Sequence, residues 1–255
     1  MNDFELLIRL HIHQHRQGPG GIEETLQAAR LAGLDNQNPL KIADVGCGTG
    51  AAAMDLAKSL NSTIHAVDFL PEFIDELKNR IESEHLDQKI LATVGNMEDL
   101  PFEEASFDVL WSEGAVYNMG FEKGIGEWRK FLKPSGKLVV SELTWLTYHR
   151  PEAITEHWER EYPEVATAAE KIAQLEKHGY KLLGYFPLRE HCWTDNYYQP
   201  LQQRFESFVA ECGDQSASAL SIVEEHKKEI QLYTQFKDFF SYGVYVAEKV
   251  ESKAV

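Results

Sequence analysis

The chain has 255 residues, 43% hydrophobic and 26% charged, with a formal net charge of −16. That length suits one large core, or a core with an accessory piece. The acidity argues against an unspecific grip on nucleic acid, which needs local Lys and Arg, and favours a small or cationic partner. Cys47, Cys192 and Cys212 are too few and too scattered for a disulfide scaffold, so a reducing interior is the simpler setting. The opening MNDFELLIRLHIHQHRQG lacks the basic start and cleavage site of a signal peptide. No apolar run approaches a membrane span. These features predict a cytoplasmic protein with no membrane or nucleic-acid partner, as a monomer or homodimer.

In chain order, residues 3–13 form a short helix, and GPGG at 18–21 forms a turn or loop. A helix covers 22–32, a polar linker 35–39, and a first strand 41–45. The glycine segment follows, then a helix over 51–60 and a strand over 63–67 closed by Asp68. The pattern continues with a helix from Pro71 to about Glu84, strands at 89–94 and 107–111, and a helix at 121–132. Pro134-Ser135-Gly136 is a turn before a fifth strand at 137–142. A helix is predicted over 163–178, a strand over 180–188 and a last strand over 242–249. Strands alternating with helices of this kind imply a largely parallel sheet with helices on both faces. Two stretches break the alternation, 143–162 and 190–241. The second has helices around 201–210 and 216–239, while 191–200 is short of helix character. Such inserts at strand ends commonly cover a site. The tail from Glu251 is expected to fray.

Residues 42–50 read Ile-Ala-Asp-Val-Gly-Cys-Gly-Thr-Gly. A buried strand ends, alternate glycines carry the backbone round a tight turn, and a helix starts near Ala51. Glycine allows left-handed angles and close approach of a ligand, and the turn amides point into the crevice beyond the strand. Asp68 ends the next strand, about twenty positions on, where a carboxylate can accept two bonds from a ribose diol. This pair fits a nicotinamide or an adenosyl cofactor. Asp68 also suits an N-cap before Pro71.

DVGCGTG (44–50), NMEDLPFEEASFDVLWSEGAVYNM (96–119) and LKPSGKLVVSE (132–142) together resemble the class I S-adenosylmethionine-dependent methyltransferases, closest to the small-molecule type 11/25 branch. The resemblance implies an α/β, Rossmann-like class I methyltransferase fold. Its mostly parallel seven-stranded sheet would have an antiparallel last strand and helical lid inserts. It further implies one methyltransferase domain over 1–255, with 1–34 as an N-terminal lid and helix, and 143–162 and 190–241 as the substrate cover. The implied activity is methyl transfer from S-adenosyl-L-methionine to a small-molecule substrate. Gly46, Gly48 and Gly50, with Cys47 filling the turn, would face the methionine part, and Asp44 would orient the turn or meet the cofactor's ammonium. Asp68 would hold the ribose, Phe69 would stack on adenine, and Met97 would offer its amide. Asn96 stands where the family usually has aspartate and keeps an acceptor oxygen for the adenine amino group. Glu113 would border the methionine end and the substrate mouth.

On the substrate side, Arg16 and Gln17 in HIHQHRQGPGG could close over the cofactor or acceptor. A rival reading gives His11, His13 and His15 to a metal, since alternate residues of an extended chain share a face. Tyr117 and Asn118 could orient a nucleophile. His149 and His191 are candidate bases, because histidine titrates near neutrality. Tyr148 stands beside the first. Trp193, Tyr197 and Tyr198 could line an acceptor pocket or anchor the inserted helices, with equal weight. The competing readings are a nicotinamide oxidoreductase, disfavoured by the glycine spacing, a non-enzymatic adenosyl-ligand binder, and a methyltransferase acting on RNA or peptide.

Overall fold

The computed structural model describes residues 2–251, and the tail beyond Glu251 lies outside them. Eight strands and ten α-helices of the described residues are used below. The strands are β1 (Leu40–Val45), β2 (Ser62–Asp68), β3 (Ile90–Val94), β4 (Phe107–Glu113), β5 (Leu132–Trp145), β6 (Ala166–Thr167), β7 (Tyr180–Pro187) and β8 (Phe240–Lys249). The helices are α1 (Asp3–His11), α2 (Ile22–Leu31), α3 (Ala51–Ser59), α4 (Pro71–Ser83) and α5 (Phe121–Trp128), followed by α6 (Glu152–Glu161), α7 (Ala168–Lys177), α8 (Glu190–Trp193), α9 (Gln199–Glu211) and α10 (Ser216–Phe236).

The sheet runs β3-β2-β1-β4-β5-β8-β7. β1 to β5 pair in parallel, whereas β8 is antiparallel to both β5 and β7. The expected seven-stranded path is therefore present. β5 outruns β4, and the two-residue β6 pairs with its end at Thr144–Trp145. The strands are nearly continuous apolar runs because both faces are covered. One face packs Ile42, Val109, Trp111 and Val139 against α2, α3 and α4. The other packs Ala43, Leu110, Leu138 and Val140 against α5 and α7. The chain turns back at β1, with β2 on one side and β4 on the other, so the crevice where such folds bind ligands lies above these two ends.

Three local expectations differ. Pro134-Ser135-Gly136 is not a separate turn: β5 runs through it as an irregularity, with Ser135 at φ 59°. The helix expected from Pro163 starts at Ala168, because Thr167 caps it in a reciprocal capping box with Glu170. Residues 191–200 are helical throughout, as α8, a π-turn over 194–198 and then α9. Pro200 follows the π-turn directly and stands in the first turn of α9, so the helical run passes through it and it does not mark a boundary.

Candidate functional site

A cavity of about 460 Å³ opens at the ends of β1 and β4. Its floor is the glycine turn. Gly46, Gly48 and Gly50 have φ of 73°, 55° and 87°, all left-handed. A Cβ on Gly46 would lie 2.3 Å from the Ala115 Cβ, and one on Gly48 would lie 2.5 Å from Gln17 Oε1. Gly46, Cys47 and Gly48 line the cavity, whereas Gly50 faces away and packs under Leu77. The turn amides do not stand free as the sequence suggests. Those of Gly46 and Cys47 donate to the Val67 carbonyl, that of Gly48 to Asp68, that of Thr49 to Gln17 and that of Gly50 to the Cys47 carbonyl. A pyrophosphate needs such amides, so their use within the protein weighs against a dinucleotide. The Cys47 thiol is pushed well up by burial, then by Asp44 and Asp68, which keeps it a neutral turn filler.

Two carboxylates flank the turn. Asp44 is 1% exposed and its Oδ2 has no hydrogen-bond partner. Burial first, then Glu113 and Asp68, raise it to about 8. An isolated buried carboxyl of this kind is relieved by a cation placed beside it. Asp68 accepts from the Gly48 amide at 2.8 Å and the Leu70 amide at 3.0 Å. Each oxygen keeps a lone pair for a further donor. Asp68 is not the N-cap expected before Pro71: Leu70 takes that position without a side-chain cap, and Asp68 instead accepts from the Leu70 amide in the turn before α4.

Phe69 is 65% exposed at the cavity wall. Asn96 is exposed there, and its oxygen accepts from the Glu98 amide at 3.0 Å, so it builds a turn as well as facing the cavity. Met97 lines the same wall, with its carbonyl taken by the Trp128 indole.

The N-terminal segment straps this cavity. Gln17 clasps Thr49, its Nε2 donating to Thr49 Oγ1 at 2.9 Å and its Oε1 accepting from the Thr49 amide. Arg16 is buried and donates to Glu113 at 2.7 Å and to Asp55 at 3.2 Å. Glu113 also accepts from Thr25 and from the Trp111 indole. It thus ties strap, α2 and β4 together at the cavity edge. Arg80 adds a grip on the Gln14 carbonyl. The three histidines of the strap diverge: His11 turns inward to His226, with Nε2 atoms 3.2 Å apart, while His13 and His15 are exposed. The shared face that a metal would need does not form, because α1 continues to His11 and a turn follows.

The substrate candidates separate into two groups. Tyr117 and Asn118 line the cavity from a single turn after β4. His149 and Tyr148 are exposed in the loop between β5 and α6, away from the cavity lining. Arg150 pins that loop by stacking on Trp145 and donating to the Thr147 and Tyr148 carbonyls. His191 lies 3.5 Å from Glu24 beside Arg189, also outside the lining. Trp193, Tyr197 and Tyr198 are buried, and Trp193 stacks between Tyr233 and Tyr242 with its indole donating to Ser241. Of the two roles open to these three, the structure displays the anchoring one. Phe4, Thr25, Thr49 and Asp55 were not singled out from the sequence. Phe4 carries no local signal, since only the packing of α1 brings it to the cavity.

Residues 42–136 match the family model of the methyltransferase domain. That segment is similar to a methyltransferase domain. The 2-phytyl-1,4-naphtoquinone methyltransferase of Trichormus variabilis is 31% identical over 111 residues, which is 42% of this chain and 46% of that one. The chain spans about half the length of the curated relatives it matches. The chain also shares its fold with solved structures. YjhP from E. coli has a TM-score of 0.82 at 17% identity, covering 97% of this chain and 100% of that chain. A SAM-dependent methyltransferase from Geobacter sulfurreducens, solved with S-adenosyl-L-homocysteine, has 0.81 at 14%, covering 95% and 97%. The fold is that of the class I methyltransferases, as the sequence implied. No helix among the described residues is long and apolar enough to cross a membrane.

Proposed function

We propose that the protein transfers the methyl group of S-adenosylmethionine to a small-molecule acceptor. The observation that carries this reading is the deeply buried Asp44 carboxyl, one oxygen of which has no partner, beside a left-handed glycine turn whose amides are already used. The site asks for a ligand that brings a cation rather than a phosphate. The bound donor supplies an electrophilic sulfonium methyl group, together with the ammonium that suits Asp44. Asp68 would accept from the ribose hydroxyls through its remaining lone pairs, Phe69 would stack on the adenine, and Asn96 and Met97 would meet the adenine edge. The glycine turn lets the methionine end lie against backbone. Glu113, held by three donors, fixes the mouth, and the strap excludes water so that the acceptor approaches in line. Tyr117 and Asn118 are the side chains placed to orient that acceptor. His149, in the β5–α6 loop, and His191, on α8, would both have to move to act as bases.

Further support for a small acceptor is the strap itself, which crosses the cavity and narrows access. The same reading makes residues 1–255 one domain, with 1–34, 143–162 and 190–241 as its cover. The three free cysteines favour a cytoplasmic setting. Calorimetric titration with S-adenosylmethionine and S-adenosylhomocysteine tests the proposal. Both should bind one to one, and the Asp44→Asn variant should bind more weakly. Failure of both ligands to bind would overturn it.

A further inference from the structure

Outside the lining of the large cavity, three metal-binding side chains converge where the strap meets the first helix of the second insert. Glu24 comes from α2, and His191 and Cys192 come from α8. Their ligand atoms all lie within 4.8 Å of one another. His191 Nε2 is 3.5 Å from Glu24 Oε1 and 3.7 Å from Cys192 Sγ. In a tetrahedral zinc site, bonds of about 2.0–2.3 Å place the ligand atoms about 3.3–3.8 Å apart. Both of these edges have that length. Among the described residues this is the one group of three such side chains within reach of a common ion.

Gly21 leaves space beside them. A Cβ on it would lie 2.5 Å from Glu24 Oε2 and 3.7 Å from Cys192 Sγ, so these two atoms border one spot. Asn196 Nδ2 stands 2.9 Å from the same point and is held by donating to the Gly20 carbonyl. A cavity of about 10 Å³ lies against Gly20, Gly21 and Glu24, with room for a single water-sized or smaller occupant. Glu24 is 3% exposed, and its Oε2 has no hydrogen-bond partner. Its Oε1 is taken by Arg189, which is half exposed and has a second partner in Glu23. Arg189 thus orients the carboxylate from outside, as the outer partner of a metal ligand does, and leaves Oε2 for an ion. Cys192 is buried, whereas His191 is 36% exposed and can turn to close the remaining gap.

We propose that Glu24, His191 and Cys192 bind a zinc ion through carboxylate, imidazole and thiolate, with water as the fourth ligand. The mixed sulfur, nitrogen and oxygen set suits Zn²⁺, whereas Ca²⁺ and Mg²⁺ take oxygen ligands. On binding, the Cys192 thiol gives its proton to solvent and His191 coordinates as the neutral ring. The ion acts as a clasp. The Gly20 amide already donates to the Cys192 carbonyl at 3.4 Å, and Asn196 to the Gly20 carbonyl at 2.8 Å. A metal between Glu24 and α8 fixes the same junction of strap and insert. Thr25, next to Glu24, meets both Arg16 and Glu113, so the junction reaches the edge of the large cavity. The site is separate from methyl transfer and does not depend on that reading.

The test uses the full chain, free of any affinity tag and stripped with a chelator, with Co²⁺ and Zn²⁺ as probes. One equivalent of Co²⁺ should give the thiolate-to-metal absorption of a cobalt–sulfur bond. Zn²⁺ should displace it with a Kd below about 1 μM. Cys192→Ser should abolish the absorption, and Cys212→Ser should keep it. His191→Ala, at a partly exposed position, keeps the test open if the Cys192 variant does not fold. It should weaken Zn²⁺ binding by at least about tenfold, the least that losing even an outer partner of a metal ligand costs. Zn²⁺ should also slow amide exchange over residues 18–26 and 190–196. Absence of the sulfur absorption, its survival in Cys192→Ser, or unchanged Zn²⁺ affinity in His191→Ala would overturn the site. Zn²⁺ binding that is lost instead on replacing His13 and His15 would overturn it as well. Binding of S-adenosylhomocysteine is read separately, and its failure would strike the methyl-transfer reading alone.

Discussion

The two ends of the cavity are built differently. The donor end is made by short-range backbone geometry: three left-handed glycines, a strand-end carboxyl and a turn asparagine all lie within residues 44–97. The acceptor end is assembled from Phe4 on α1, Arg16 in the strap, and Tyr117 and Asn118 after β4, parts of the chain far apart in sequence. At the first end the main chain itself is the constraint. At the second, the site exists only because the inserted helices are anchored to the sheet. Substitutions at the two ends should therefore fail in different ways.

The largest effect is expected at the anchor. Trp193→Ala removes a ring stacked on Tyr233 at 4.6 Å and on Tyr242 at 5.3 Å. It should lower stability by about 3–5 kcal/mol in urea unfolding, with S-adenosylhomocysteine affinity preserved while the protein is folded. A loss confined to the acceptor, with stability intact, would instead make Trp193 a pocket residue and erase the contrast. At the donor end, Gly46→Ala forces a side chain into a left-handed position and against Ala115. It should cost about 2–4 kcal/mol and abolish donor binding together. Gly33→Ala, also left-handed but with nothing within 4 Å of its Cβ and outside the cavity lining, is the control and should cost only about 1–2 kcal/mol and leave donor binding unchanged.

The same contrast explains what was legible in the sequence. Glycines at alternate positions and an acid at the next strand end announce themselves, because they meet local backbone needs. The sheet was legible for a related reason, as strands buried on both faces read as apolar runs. Trp193, Tyr197 and Tyr198 were recognised as important, yet pocket and anchor could not be told apart, since burial depends on which element packs over them. His149 and His191 have the right chemistry, and only the folded chain shows that neither reaches the cavity lining. Glu142 passed as part of an ordinary strand, because an isolated buried carboxyl is invisible until its neighbours are known.

The strap joins the two ends, and Glu113→Gln sharpens how. It removes a charge from the Arg16 pair while keeping the shape. Loss of a charge-assisted bond should weaken stability by about 1.5–3 kcal/mol, with Asp55 retaining part of the grip on Arg16. Faster amide exchange over residues 11–21 should accompany it. Unchanged exchange would separate the strap from the cavity edge.

Asp44 gives the donor end a pH signature. Its folded value is raised, by burial and then by Glu113 and Asp68, from 3.8 to about 8. The stability tied to this group is fully present below the unfolded value and is lost as pH rises through the folded one. The ligand-free protein should therefore lose stability across that window, by up to about 1.4 kcal/mol per pH unit. Glu142, raised to about 7 chiefly by burial, adds to the same slope. Donor binding places an ammonium beside Asp44 and expels its proton, so affinity should rise with pH in the window. Asp44→Asn should flatten that rise and leave only the part of the stability slope due to Glu142. A flat affinity profile in the unmutated protein would remove Asp44 from ammonium recognition.

The smallest expected effect decides whether the acceptor end needs its exposed loop. His149 is solvent-exposed, with its carbonyl taken by Thr147 and its ring edge-on to Tyr148, which is 83% exposed. Substituting such a residue should change stability by less than about 0.5 kcal/mol. If the β5–α6 loop stays away from the cavity, His149→Ala should also leave turnover within about twofold, while Tyr117→Phe, at the cavity wall, slows it by more. The reverse ranking would mean that the β5–α6 loop closes over the acceptor and brings His149 with it. The acceptor end would then be completed by motion rather than by packing, and the difference between the two ends would be one of dynamics as well as of construction.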